Sequence, residues 1–551
     1  MPLIDDVFSQ TGLVLFIASV MGILAIKLKQ PLIVGFIAVG IFLGPSVLGW
    51  VEANDQIDLL AKLGITLLLF IVGLKLDLHI IKTMGLVALA TGIGQVLFTS
   101  VVGYFIAVAL DFNHLESVYI AVALTFSSTI IIVKLLSDKR EVDSLHGRIA
   151  VGFLIVQDIM VIVAMIGLNA ISGAEISGKI GPNVIHVLIS GGLFLLVVGL
   201  LMRFVLSPLL LFLAQSRELL LIFSIAWAVS LGALGHHLGF SKEVGAFVAG
   251  VSLASTPFRD VIGAKLVGLR DFLLLFFFVD LGAALNLAVI GDQVFAALLL
   301  SLFVLVGNPV IVMIIMGLMG YRKRTGFLAG LTVAQISEFS LILAALGVSL
   351  GHVDESVLGL VTLVGLITIS ASTYMILYSH RLYELLAPRL KLFERSINSE
   401  LNMDALEDET RNPDIIVFGL GKFGRSIAQS FKASGYSVLG FDFDPERVKR
   451  ANSEGIPAAY GDAEDSEFFE TLPISHARWV VGAVHDRYAT EALSRQLLGV
   501  AFSGCAAFSM KDESEVSDVI KAAGIVFIPY NYAAEHAAQV LLAQQKPLQQ
   551  T

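Results

Sequence analysis

Cysteine is all but missing from this sequence: Cys505 is the only one among 551 residues. No disulfide framework can therefore form within the chain, and no thiolate cluster can hold a metal. Charge is scarce as well. Asp, Glu, Lys and Arg make up 15% of the residues against 56% hydrophobic ones, and the mean hydropathy is +0.85. That balance excludes an ordinary soluble protein of several domains. The eleven histidines show no HExxH spacing, so no zinc-enzyme signature is present. A net charge of −10 speaks against nucleic acid as a partner. A basic leader segment is lacking too: Asp5 and Asp6 stand where a signal peptide would be positive, so the first apolar run reads as a retained span.

What is there instead is a succession of apolar runs from Thr11 to about Ser379, followed by a polar, acidic stretch from Ser396 to Asp414 and a segment of ordinary composition. The runs predict about thirteen membrane spans, near 11–26, 31–49, 58–74, 86–110, 117–136, 148–171, 184–206, 219–238, 243–256, 268–287, 293–319, 325–349 and 356–379. Alternate connections carry nearly all the basic residues, among them Lys27, Lys29, Lys134, Lys139, Arg140, Arg148, Arg203, Arg259, Lys265 and Arg322, whereas the opposite set holds Lys179 and Lys242. Positive charge marks the cytoplasmic side, which places the N-terminus outside and the C-terminal module in the cytosol. The lipid bilayer is thus the first partner.

An internal repeat runs through the spans. Gly35 to Gly40 returns as Gly245 to Gly250, an offset of 210; Leu67 to Phe70 returns as Leu273 to Phe276, an offset of 206; Leu124-Thr125 returns as Leu331-Thr332, an offset of 207. Spans one to six and eight to thirteen are then two copies offset by seven spans, an odd number that inverts one against the other, the architecture of many secondary transporters. One carboxylate, Asp158, sits inside the apolar run Ile149 to Leu168, where an unpaired charge is costly and a functional ion or proton site is the default expectation. Asp158 lies ten residues beyond Arg148 and Asp280 ten beyond Arg270, which predicts both near mid-membrane, roughly 15 Å in. The fifth span carries Thr125, Ser127, Ser128 and Thr129, and its counterpart carries Thr332, Gln335, Ser337 and Glu338. Such clusters satisfy backbone groups where a helix unwinds.

The stretches Gly35 to Pro45, Leu69 to Asp77, Ser127-Ser128-Thr129, Gln157-Asp158-Ile159 and Gln335 to Phe339 resemble the monovalent cation:proton antiporter-2 family, of the Kef potassium-efflux type. The resemblance implies an NhaA-like antiporter fold, a homodimer in the bacterial inner membrane, and potassium and protons as passengers. Asp158 would bind them in alternation, with Gln157, Thr125, Ser127, Ser128 and Glu338 as further site residues; Asp280, placed by its spacing from Arg270, is a candidate second carboxylate or the partner of a polar neighbour. Three positions depart from the family pattern: Lys75 stands where Glu is common, Asp280 where Ser is usual, and Asn308 where many relatives have Lys.

After the spans, Asp414 to Phe418 reads as a strand running into Gly419-Leu420-Gly421-Lys422-Phe423-Gly424 and a helix, with a second strand ending at Asp442. The glycines allow a tight turn and close approach of a pyrophosphate to the helix N-terminus, and Asp442 is placed to bond ribose hydroxyls. This segment resembles the nucleotide-binding half of domains that regulate potassium conductance, and Asp462 matches that motif. AMP, NAD and NADH fit, whereas the 2′-phosphate of NADP would meet Asp442; Arg425 and Arg447 are candidates for phosphates. The expected organisation is a membrane domain over 1–388, a linker over 389–413, a Rossmann-like α/β domain over 414–535 and a tail over 536–551. The function expected is nucleotide-regulated potassium/proton exchange. A sodium/proton exchanger of the same architecture is the nearest alternative. A potassium channel would want a TVGYG-type filter loop, which is lacking. A dehydrogenase would need a substrate domain beyond the Rossmann segment.

Overall fold

The computed structural model describes residues 7–50, 55–75, 85–175, 191–393 and 412–543, apart from 140, 143, 195, 239, 286, 462, 464–467, 470–471, 485–486 and 501. Asp77, Lys82, Arg140, Lys179 and Asp462, most of the expected linker and the end of the tail lie outside the described residues. The chain divides into two compact units, Met1–Glu394 and Arg395–Thr551.

The first unit is helical. Its helices are α1 (Val7–Lys27), α2 (Leu32–Leu43), α3 (Asp55–Lys75), α4 (Gly85–Ala109), α5 (His114–Ala123), α6 (Thr129–Asp138), α7 (Leu145–Glu175) and α8 (Ser207–Leu213). They continue with α9 (Arg217–His237), α10 (Lys242–Ala254), α11 (Arg259–Ala283), α12 (Leu287–Leu302), α13 (Asn308–Leu318), α14 (Lys323–Leu331), α15 (Glu338–Ser349), α16 (Glu355–Leu377) and α17 (Ser379–Leu386). Among the described residues seven helices are long and apolar enough to cross a bilayer. The gap to thirteen has local causes. The expected spans 117–136 and 325–349 are each split into two short helices, α2 and α10 are only 12 and 13 residues long, α11 carries several charges, and the seventh span falls partly on undescribed residues.

Two groups of helices pack chiefly within themselves and share one apolar cluster between them. In one, α3 lies against α10 and α11, α2 against α11 and α1, and α9 against α10. In the other, α4 packs on α5 and α7, α12 on α16, α13 on α14, and α15 on α5 and α16. Glycines set the spacing of the first group. A Cβ at Gly40 would strike the Val279 carbonyl and one at Gly282 the Ile37 carbonyl; likewise Gly73 abuts Phe247 and Gly250 abuts Phe70. Only glycine lets backbones meet this closely, the small-residue packing that holds helices together in lipid. The contact positions are related by two sequence shifts: 210 carries Ile37 and Gly40 onto Phe247 and Gly250, and 209 carries Phe70 and Gly73 onto Val279 and Gly282.

The second unit is a six-stranded parallel sheet of β1 (Ile415–Phe418), β2 (Val438–Asp442), β3 (Ala458–Tyr460), β4 (Trp479–Gly482), β5 (Cys505–Ser509) and β6 (Ile525–Phe527), in the order β3-β2-β1-β4-β5-β6. Its helices are α18 (Lys422–Ala433), α19 (Pro445–Ser453), α20 (Arg487–Gly499), α21 (Asp518–Ala523) and α22 (Pro529–Ala543). The central strands are apolar on both faces: Ile416, Phe418, Leu439 and Val480 enter one core, and Ile415, Val417, Val438 and Val481 the other. That is the pattern of strands covered on both sides. The strand order reverses between β1 and β4, the place where such sheets open a crevice for ligands.

Candidate functional site

The site begins with two interruptions. Helix α5 stops at Ala123 and α6 starts at Thr129; α14 stops at Leu331 and α15 starts at Glu338. No proline causes either break. Hydroxyls do: Thr125 donates back to the Val122 carbonyl at 2.7 Å, and Thr332 does the same to Ala329 at 2.6 Å, closing both C-terminal ends alike. Ser128 and Ser337 then cap the helices that follow, accepting from the backbone N–H of Ile131 and Phe339.

Unwound backbone in an apolar core must find partners for its polar groups. Ser127 joins the breaks directly, its hydroxyl donating to the Gln335 carbonyl at 3.1 Å. Asn308, fully buried at the start of α13, donates to the carbonyls of Leu124 (3.4 Å) and Val333 (3.3 Å), one from each break. Its Oδ1 accepts from Thr99 at 2.7 Å. Thr99 accepts in turn from Gln95 at 3.1 Å, and Gln95 also donates to the Thr125 carbonyl at 3.2 Å. Gln157 donates to Gln95 Oε1 at 2.6 Å and accepts the backbone N–H of Ser127 at 3.1 Å. Each donor atom named in this series meets at least one acceptor.

Beside Gln157, Asp158 is only partly exposed, and its Oδ2 accepts from Thr129, the first residue of α6, at 3.0 Å. Glu338, 1% exposed, is the first residue of α15. Each break thus turns a helix N-terminus towards a carboxylate, the end of a helix dipole that favours negative charge. Glu338 and Lys75 are the charges that act on Asp158. The result is a buried polar knot with two carboxylates in electrostatic reach of each other, suited to holding a small cation or a proton.

The expected residues sort as follows. Asp158, Gln157, Thr125, Ser127, Ser128 and Glu338 converge. The hydroxyls of Thr125 and Ser127 spend their protons on carbonyls, and both ends of the Gln157 amide are engaged, so these three position the backbone. Asp280 does not join them. It lies three residues from the end of α11 and about 30 Å along it, and the charges acting on it are Asp58 and Lys62 at the start of α3. A count of ten residues from Arg270 is no measure of depth, because Arg270 is not an exposed flanking charge. It is buried within α11, bonded to Asp271 at 2.7 Å. Gln95, Thr99 and Thr129 were not among the expected site residues. A polar pair four residues apart in the apolar run 86–110 was the available signal.

In the second unit Gly419 has φ +92° and Gly424 has no room for a Cβ against the Gly419 carbonyl, so β1 can turn directly into α18. Asp442, at the end of β2, accepts the backbone N–H groups of Leu420 (2.6 Å) and Asp444 (2.9 Å) and lies 3.6 Å from Arg447. Burial pushes its carboxyl up, outweighing Arg447 and those backbone donors. Lys422 is exposed at the mouth, whereas Phe423 packs on Phe527. Arg425 is committed to the Leu420 carbonyl and Glu454, which leaves Arg447 as the guanidinium closest to Gly421 and Asp442. The glycine turn, the helix N-terminus behind it and Asp442 fit an adenine nucleotide.

Residues 14–377 match the family described as sodium/hydrogen exchanger, transmembrane, and residues 415–525 match the TrkA-N domain. Among curated proteins, YbaL of Escherichia coli is 26% identical over 88% of this chain and 88% of its own length. The glutathione-regulated potassium-efflux system protein KefC of Salmonella arizonae is 27% identical over 86% of this chain and 74% of its own. Among solved structures, the sodium proton antiporter MjNhaP1 from Methanocaldococcus jannaschii superposes with a TM-score of 0.51 at 17% identity, covering 69% of this chain and 96% of that one, a likeness of fold.

Proposed function

This chain belongs to the transmembrane sodium/hydrogen exchanger family, and from that premise we propose that it exchanges potassium for protons at Asp158, under control of a nucleotide on its TrkA-N domain. The observation that carries this reading is the placement of Asp158: a carboxylate inside a span, bonded by Thr129 at the head of a broken helix, with Glu338 at the head of the other. A cation leaving water needs a fixed charge and oriented oxygens to replace its hydration shell. A proton neutralises the same carboxylate. The two passengers therefore exclude each other, and the protein crosses carrying one or the other.

Alternating access follows from the two helix groups. The glycine-packed group is the scaffold and the group with the breaks carries the site. The exchanged contacts Gly40/Gly282 and Gly73/Gly250 support an inverted repeat of about thirteen spans, with N-terminus outside, C-terminal domain in the cytosol, and two copies in the bacterial inner membrane. Asp158 trades one charge for one, so exchange is electroneutral; a sustained current in reconstituted membranes contradicts this. AMP or NAD(H) occupies the turn between Gly419 and Gly424, with Asp442 on the ribose and Lys422 beside it. The membrane domain spans 1–388 and the nucleotide domain 414–535.

The test is exchange in proteoliposomes followed by a pH dye, with K⁺, Na⁺ and Li⁺ in parallel, with and without AMP or NADH. Potassium should drive the largest signal and a nucleotide should change it. A response to sodium and lithium alone replaces potassium by sodium in the account.

A further inference from the structure

Gln335 lies in the second break and is fully buried, yet the bonds around its side chain do not balance. Ser372 Oγ is 2.7 Å from Gln335 Oε1 and 3.2 Å from the Ile369 carbonyl, and both are acceptors. A hydroxyl carries one proton, so the two cannot both be full hydrogen bonds. At the other end of the amide, Gln335 Nε2 is buried without a partner. The neighbouring amides of Gln95, Gln157 and Asn308 show no such conflict.

Turning the amide over exchanges two atoms of nearly equal size and moves nothing else. Nε2 then donates one N–H to Ser372 and the Ser372 proton goes to Ile369, so the hydroxyl no longer faces two acceptors. The atom left over is Oε1, a neutral carbonyl oxygen with its lone pairs free, buried at the crossing of the two breaks. Gln335 is held there from two sides: its backbone carbonyl takes the Ser127 hydroxyl, and its side chain is gripped by Ser372 of α16. An unsatisfied buried oxygen calls for an explanation, and a bound ion is one. Hard cations are held by oxygen ligands, and carbonyl oxygens of this kind can replace an alkali ion's water.

We propose that Gln335 Oε1 is a ligand of the transported monovalent cation, contributed by the second break alongside the carboxylate of Asp158. This rests on the reading of the crossing as the exchange site. An amide oxygen is far too weak a base to hold a proton in the working range, so Gln335 favours the cation over its competitor. Its loss should weaken cation binding and let protons win at higher pH.

The full-length protein in proteoliposomes tests this with Gln335→Leu, reading exchange against cation concentration and against pH. The expected result is a KM for the cation raised about tenfold or more, a maximal rate changed much less, and an acid limb displaced to higher pH. A lowered maximal rate with unchanged KM and acid limb overturns the assignment and leaves Gln335 a packing residue. Should Gln335→Leu not be recovered folded, Gln335→Asn withdraws the oxygen by one methylene and reads the same way. Asp158→Asn in the same preparation separates the two levels. If it still exchanges, the site reading itself fails; if it is silent while Gln335→Leu keeps the wild-type KM, only the Gln335 ligand falls.

Discussion

The two helix groups of the first unit solve the same problem in opposite ways. In the group built on α2, α3, α10 and α11 the helices run unbroken and meet through glycine, so backbone touches backbone with no side chain between. In the group built on α4 to α7 and α12 to α16 two helices are broken and the freed backbone is held by the amides of Gln95, Gln157 and Asn308. The first arrangement leaves no room for an added atom at these contacts. The second exposes carbonyls, amides and carboxylates to one another in the apolar interior. Rigidity and chemistry are thus assigned to different helices, each group drawing on both halves of the chain.

Substitutions should separate the two. Gly250→Val drives a branched side chain into the Phe70 carbonyl and the backbone at Leu74. Overpacking typically costs about 1–3 kcal/mol and more where only backbone can yield. The largest expected effect is therefore loss of folded protein, read by size-exclusion recovery and melting temperature in detergent, while any protein that folds exchanges at the normal rate. Asn308→Ala should do the reverse. It leaves the Leu124 and Val333 carbonyls and the Thr99 hydroxyl short of a partner, at about 1–3 kcal/mol for each group left unsatisfied. Exchange per folded molecule should fall by at least about tenfold, because a distortion worth about 1.4 kcal/mol at the site suffices for that. If both variants lose stability and rate in proportion, the division of labour is wrong.

A smaller effect tests the rim of the second group. Glu141, in the loop between α6 and α7, is buried among His146 (3.2 Å), His380 of α17 (2.8 Å) and Lys139 (2.9 Å), and Lys139 also bonds Ser379 of α17. Burial alone would raise its carboxyl, but the two histidine bonds and the Lys139 ammonium outweigh it and hold the group well below the ordinary carboxylate range. A carboxylate held down in the fold contributes stability that is complete above its unfolded value of about 4.3 and is lost as pH falls below it. The melting temperature of the wild type should drop below that pH more steeply than that of Glu141→Gln. At neutral pH the variant should be less stable by about 1–3 kcal/mol, the worth of bonds to a charged group. Parallel pH profiles for the two proteins contradict the assignment.

Much of this was legible in the residues. Asp158 announced itself as a charge in an apolar run, both breaks as hydroxyl clusters without proline, and the nucleotide turn as three glycines between a strand and a helix. Gln95 and Thr99 were not legible, because two polar residues in a long apolar run look like background until α4 is seen beside the breaks. That Asp280 lies under the influence of Asp58 and Lys62 was not legible either, because Arg270, buried and paired to the adjacent Asp271, read as a flanking charge. The glycine contacts pair positions offset by 209 at Phe70, where the leucine and phenylalanine runs align at 206, because such runs match in several registers.

The most direct test of the whole account is cation-driven proton movement by Asp158→Asn in proteoliposomes, beside wild type at equal reconstituted amounts. The substitution keeps the size and a bonding partner for Thr129 but removes the negative charge. The account predicts that potassium no longer moves protons at any pH or nucleotide condition. Exchange at the wild-type rate would contradict it.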